Sequence, residues 1–95
     1  MKYYLLQAPL YPDYSTGNWT IVEGPYIDDE RIKAERDRVE YQWPIKIESF
    51  GPTTGTTTMI LNEETLKKSF RDFDQNKKIP QRIGRPYKSF YDNQS

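Results

Sequence analysis

Ninety-five residues carrying 14 basic and 14 acidic side chains have a formal net charge of zero, and they include neither cysteine nor histidine. That inventory excludes a disulfide framework, thiolate nucleophiles, an imidazole-based triad or zinc site, and a histidine-bound haem. Apolar residues are scarce at 35% and mean hydropathy is −0.97, yet eight tyrosines, four phenylalanines and two tryptophans each bury enough area to close one small core.

In chain order, residues 2–7 (Lys2, Tyr3, Tyr4, Leu5, Leu6, Gln7) form a run of strand-favouring bulk that Pro9 and Pro12 should stop. Residues 8–18 hold two prolines, Asp13, Ser15, Gly17 and Asn18, the composition of a long loop that displays Tyr11 and Tyr14. Residues 19–23 read as a second strand, closed by Gly24 and Pro25. Asn18, Trp19 and Thr20 match a glycosylation pattern, which is read here as a chance match at the start of that strand.

From Asp28 to Trp43 no glycine or proline interrupts the chain, so a first helix is expected, capped by Asp28 and favoured by the acids Asp29 and Glu30 at its positive end. Its pairs at four-residue spacing are Asp29 with Lys33, Arg31 with Glu35, Lys33 with Asp37 and Arg36 with Glu40. Ile32, Val39 and Trp43 fall on one side and are its expected buried stripe. Residues 45–50 alternate, setting Ile45 and Ile47 on one face as a half-buried strand, and residues 51–55 should turn it into a hairpin with the β-branched strand 56–61. A second helix follows, capped by Asn62, stapled by Leu61 and Leu66, braced by Glu63 with Lys67 and Glu64 with Lys68, and stopped at a left-handed Asn76. Its buried stripe should be Leu66, Phe70 and Phe73, and residues 77–95 read as an extended tail.

The order β-β-α-β-β-α implies an α+β fold with an antiparallel or mixed sheet of about four strands and both helices on one face. Residues 1–76 form the compact part, and residues 77–95 belong to the same single domain. The opening ten residues are too short an apolar run to act as a signal or to span a bilayer, and with the lack of cysteine this leads to an expected cytoplasmic location, with no membrane association.

Without histidine or cysteine, only carboxylates, lysines, tyrosines and hydroxyls remain for chemistry. Asp28, Asp29 and Glu30 are the densest acidic group, but acids at a helix start ordinarily complement its dipole, so no metal, cofactor or catalytic residue is assigned. The stretch from Gly51 to Thr56 lacks the lysine and the following helix that a phosphate loop requires.

The sharpest asymmetry is at the end: residues 77–95 hold five basic residues, Lys77, Lys78, Arg82, Arg85 and Lys88, against one acid, Asp92. Interleaved with Tyr87, Phe90 and Tyr91, these cations suit a partner's surface or a nucleic-acid strand, and equally well suit folding back over the acidic body. Tyr11, Tyr14 and Trp19 form a second candidate contact surface, because rigid amphipathic rings are favoured at interfaces.

The expected function is therefore non-catalytic protein binding, of the kind performed by a viral or bacterial accessory inhibitor that occludes a larger partner. A short, tyrosine-rich, cysteine-free chain with charged helices has a profile common among accessory proteins of bacterial viruses. Two alternatives are single-stranded nucleic-acid binding through the tail, and capture of an anionic, nucleotide-like ligand at the interface of a homo-oligomer.

Overall fold

The computed structural model describes residues 1–87. Strands β1 (Tyr3–Leu10) and β2 (Trp19–Tyr26) open the chain and lead through a 3-10 turn (Asp28–Glu30) into helix α1 (Arg31–Tyr41). A two-residue hairpin of β3 (Ile47–Glu48) and β4 (Gly51–Pro52) precedes strand β5 (Gly55–Asn62), helix α2 (Glu63–Ser69) and strand β6 (Gln81–Gly84). The main sheet is antiparallel throughout, in the order β5-β1-β2-β6. The α+β class, the four-stranded sheet and the two helices agree with the sequence reading. The fourth strand, however, comes from the tail rather than from residues 45–50.

Everything is arranged around β1. Leu5 and Leu6 are adjacent and both fully buried, which a strand permits only when each of its faces is covered. Tyr4, Leu6 and Ala8 join Trp19, Ile21, Ile83, Leu66 and Phe70 in one core. Leu5 joins Tyr26 and Ala34 in another, bordered by Tyr3, Val22, Tyr41 and Ile60. The two helices thus lie on opposite faces, α2 over the first core and α1 over the second, and not on one face as the element order suggested. The adjacent leucines of β1 are the reason, since one-sided cover would leave either Leu5 or Leu6 in water.

Both opening strands run past the expected stops. Pro9 stays in β1 opposite Thr56, and Gly17 donates its N–H to the Pro9 carbonyl at 3.0 Å. β2 continues through Gly24 and Pro25 because it bulges there: Leu5 faces Glu23 but Tyr3 faces Tyr26, so three residues on β2 span two on β1. Gly24 supplies the positive φ of 129° that this bulge requires.

Residues 45–50 were expected to pair with residues 56–61, and they do not. β5 instead pairs with β1 at eight successive positions, from Tyr3 opposite Asn62 to Leu10 opposite Gly55. Met59 and Leu61 pack against one core and Ile60 against the other, so β5 needs cover on both sides, which a strand alternating Ile45, Lys46, Ile47 and Glu48 does not give. Ile47 and Glu48 pair only with Pro52 and Gly51, in a separate small hairpin.

Local signals fared unevenly. At α2, Asn62 Oδ1 accepts from the Thr65 N–H at 2.8 Å, and Lys67 meets Glu63 at 3.8 Å and Lys68 meets Glu64 at 3.2 Å, as the sequence predicts. The helix ends at Ser69 rather than near Asn76, because Phe70 turns extended to enter the core. Phe73 packs edge-on to Tyr4 with ring centres 5.5 Å apart. Asn76 is not left-handed, and its N–H is held by Asp74 Oδ1 at 2.9 Å.

At the other helix Asp28 does not cap. The Ile27 N–H donates to Glu30 Oε1 at 3.1 Å, while Asp28 takes the Met1 amino group at 3.3 Å. Among the described residues, the ion pair on α1 is Arg38 with Glu35, and the four expected pairs are not formed.

The first part of the tail is a working strand. Ile83 is buried, and the buried Gln81 amide accepts from the Asp74 N–H at 2.7 Å and donates to the Asp74 carbonyl at 2.9 Å. Replacing Ile83 with alanine is expected to cost about 2–5 kcal/mol, as for other buried aliphatics, and chemical denaturation will measure it. Gly55 sits where a Cβ would lie 2.5 Å from the Trp43 carbonyl oxygen and 2.7 Å from the Pro44 carbonyl carbon. Gly55→Ala should therefore lower stability by about 1–3 kcal/mol, read as a fall in Tm, because backbone must shift to admit the methyl group.

Candidate protein-binding surface

The stripe expected to be buried on α1 is its wet side. Ile32 and Val39 are 73% and 60% exposed, and Trp43, just beyond the helix, is 56% exposed. The inward side is carried instead by Ala34, which is small enough to let the helix approach the sheet, and by Tyr41. Two phenol–carboxylate hydrogen bonds fix this orientation reciprocally. Tyr26 on β2 donates to Asp37 on α1 at 2.6 Å, and Tyr41 on α1 donates to Glu23 on β2 at 2.9 Å. Rotating α1 to bury Ile32 and Val39 would break both.

The apolar exposure continues past the helix. Trp43 exchanges two backbone hydrogen bonds with Thr56, at 3.2 Å and 2.7 Å, and so pins the base of a projecting arm. Thr53 closes the arm, its N–H donating to the Lys46 carbonyl at 2.7 Å and its hydroxyl to the same oxygen at 3.1 Å. At the end of the β3–β4 hairpin Ile47 is 87% and Phe50 102% exposed, so the expectation that Ile47 shares a half-buried face is corrected. Ile32, Val39, Trp43, Ile47 and Phe50 form a succession of large apolar groups from helix to hairpin tip, with no covering element among the described residues. Several large apolar groups left exposed along one stretch of chain make a candidate contact surface, whereas single ones are ordinary.

The residues singled out in the sequence are scattered by the fold. Trp19 is buried in the core opposite Gly84 and is withdrawn as a contact residue. Tyr11 and Tyr14 are exposed on the β1–β2 loop, which Ser15 and Asp13 brace by hydrogen bonds of 3.0 Å and 2.6 Å. These bonds hold the Asp13 carboxyl below its usual range. Lys77, Lys78, Arg82 and Arg85 are all exposed. Tyr87 is stacked under the Arg71 guanidinium, 4.1 Å from its centre, and its N–H is taken by the Ser69 carbonyl. The described part of the tail thus folds back on its own body, against α2 rather than against the first helix. Lys88, Phe90 and Tyr91 lie outside the described residues.

In the acidic run, Asp28 takes the Met1 amino group and Glu30 the Ile27 backbone N–H. Among the described residues no group of three acidic side chains is placed to hold a metal ion, and no helix is long and apolar enough to cross a membrane. No family model matches the chain, and no curated protein or solved structure is significantly similar to it.

Burial first, and then the bond to Asp37, holds the Tyr26 phenol well above the ordinary value of 10.0. Tyr41 shifts the same way, first through its bond to Glu23. A folded-state value raised above the unfolded one contributes stability that is complete below the unfolded value and is lost as pH climbs toward the folded value. Unfolding free energy should therefore fall above pH ~10. Tyr26→Phe should remove part of that alkaline fall and cost about 1.5–3 kcal/mol at neutral pH, the worth of a hydrogen bond to a charged group, as denaturant titrations at the two pH values will show.

Proposed function

We propose that the chain is a small, non-catalytic binding protein that occludes the surface of a larger protein, with the outer side of α1 and the β3–β4 arm as its contact face. The observation that carries this reading is Phe50, fully exposed with Ile47 at the tip of an arm whose base is hydrogen-bonded to the edge of the sheet. A braced hairpin leaves the backbone beneath this ring little freedom to lose on binding, which favours its use as a central anchor of an interface. Lys46 and Glu48 alternate with these apolar groups and supply a polar rim. A viral or bacterial inhibitor acting in the reducing cytoplasm fits this design, since the cysteine-free chain gains nothing from an oxidising compartment.

The nucleic-acid alternative draws on exposed Lys77, Lys78, Arg82 and Arg85. It is weakened at Tyr87, the ring the described tail sets beside these cations, because Arg71 already occupies one of its two faces.

Affinity purification from the native cell should enrich one protein in near-stoichiometric amount, with recovery unaffected by nuclease. Phe50→Ala and Ile47→Ala should each reduce that recovery strongly, by about 2 kcal/mol of binding free energy at an anchor position, while shifting unfolding by no more than ~0.5 kcal/mol. Recovery of nucleic acid alone, or of the same protein in equal yield with both variants, overturns the proposal.

A further inference from the structure

The outer edge of β5 is a second, independent feature of the fold. Thr56 exchanges both of its backbone hydrogen bonds with Trp43, so its N–H and C=O point away from β1. The regular eight-position register carries the same direction to every second residue, which points the backbone groups of Thr58 and Ile60 outward too. β5 ends the sheet on this side, and among the described residues its outward backbone partner is Trp43 alone. It is uncharged from Gly55 to Asn62 and free of proline and bulges, so beyond the Trp43 segment that covers its Thr56 end it carries none of the sequence devices that blunt an edge. The opposite edge shows the contrast: β6 has four residues, a register shift, an exposed Arg82 and prolines close by on each side.

Beside Ile60 the edge opens into a cleft of about 410 Å³ under the first turns of α1. Tyr3, Tyr26, Ala34 and Ile60 give it apolar walls, and Arg31 and Glu35 stand at its rim. Glu35 is neutralised by Arg38, whose Nε donates to it at 2.9 Å. Arg31 lies over the Tyr3 ring at 5.8 Å and, among the described residues, meets no carboxylate within ion-pair distance, which leaves the cleft one uncompensated positive charge.

We propose that this edge and cleft form a docking site for an extended peptide segment of a partner, which adds as a fifth strand outside β5, seats an apolar side chain in the cleft and turns a carboxylate toward Arg31. Backbone bonds to Thr58 and Ile60 supply the strand pairing. The peptide residue opposite Ile60 projects to the same face as Ile60, which is the side on which the cleft lies. A second copy is a poorer occupant. Pairing β5 with itself about Met59 sets Thr58 opposite Ile60 with correct hydrogen bonding, but it also brings the copy's Asn62 to the place beside Thr56 that Trp43 already fills. A short peptide can end before reaching Trp43.

The test begins with the protein alone. Amide hydrogen exchange should be fast at Thr58 and Ile60 and slow at Thr57, Met59 and Leu61, whose N–H groups face β1. Random linear peptides displayed and selected on the intact chain should then converge on an apolar residue close to an acidic one. A synthetic peptide of the selected sequence should shift the Thr58 and Ile60 amide resonances and protect them from exchange. N-methylation of the peptide residue that pairs with Ile60, and Arg31→Ala in the protein, should each weaken binding by roughly tenfold, the scale of a lost backbone or charge-assisted bond. Thr58→Pro should weaken it similarly through loss of the outward N–H, whereas Thr58→Val, which loses only the hydroxyl bonds to the Arg38 carbonyl and Gln42, should leave the affinity unchanged. Phe50→Ala should leave the affinity unchanged, which separates this site from the arm. Slow exchange at Thr58 and Ile60 in the free chain, self-association through β5, or selected peptides that move no β5 resonance would each overturn the proposal.

Discussion

Two leucines side by side in one strand set the terms for this molecule. Because Leu5 and Leu6 point to opposite sides of β1 and both are wholly out of water, the sheet requires cover above and below. A chain of this length can afford only one short helix for each side, so each of the two cores is small and each buried ring or aliphatic group is a large fraction of it. The same economy explains why strand β6 is drawn from near the tail: without Ile83 and Gln81 the core beneath α2 would be open beside Ile21.

That division of cover also accounts for the surface. A helix that approaches the sheet through Ala34 and ties itself down through Tyr41 and Asp37 has no further use for Ile32 and Val39 on its far side. Their retention together with Trp43, Ile47 and Phe50 is hard to derive from folding alone, since exposed large apolar groups add nothing to the stability of an isolated domain. The half-buried phenol–carboxylate bonds act as orientation devices, committing α1 to one rotation where its apolar residues would have favoured another.

What could be read in the sequence was what neighbours in the sequence decide. The start of α2 was legible in detail because Asn62, Glu63, Glu64, Lys67 and Lys68 act on one another within a turn. The class of fold was legible from the order of periodic segments. Strand partnership was not, because β5 chose β1 over the nearer residues 45–50 on the strength of packing with residues far away along the chain. The rotation of α1 was hidden for a different reason: its inward contact is an alanine, which an apolar pattern barely registers beside isoleucine, valine and tryptophan. The arm was hidden by the habit of assigning apolar residues to the core, although Phe50 immediately before Gly51 and Pro52, at a turn, was a visible sign of a ring at a tip. Trp19 misled in the opposite sense, as a ring read as surface that the fold uses as core.

The way β1 is flanked has a consequence for how the chain reaches this state. Its pairing with β5 brings Tyr3 to Asn62, and the pairing of β2 with β6 brings Ile21 to Gln81, so both edges of the sheet are joined across most of the polypeptide. Loops of that span must close before their contacts return any energy, and topologies dominated by such closures acquire their structure slowly for their size. Taken alone, β1 and β2 would be a bare two-stranded ribbon with the leucines of β1 in water, too little to stand by itself, so the pairing of the first two strands holds only with the cover that the distant β5 and β6 bring.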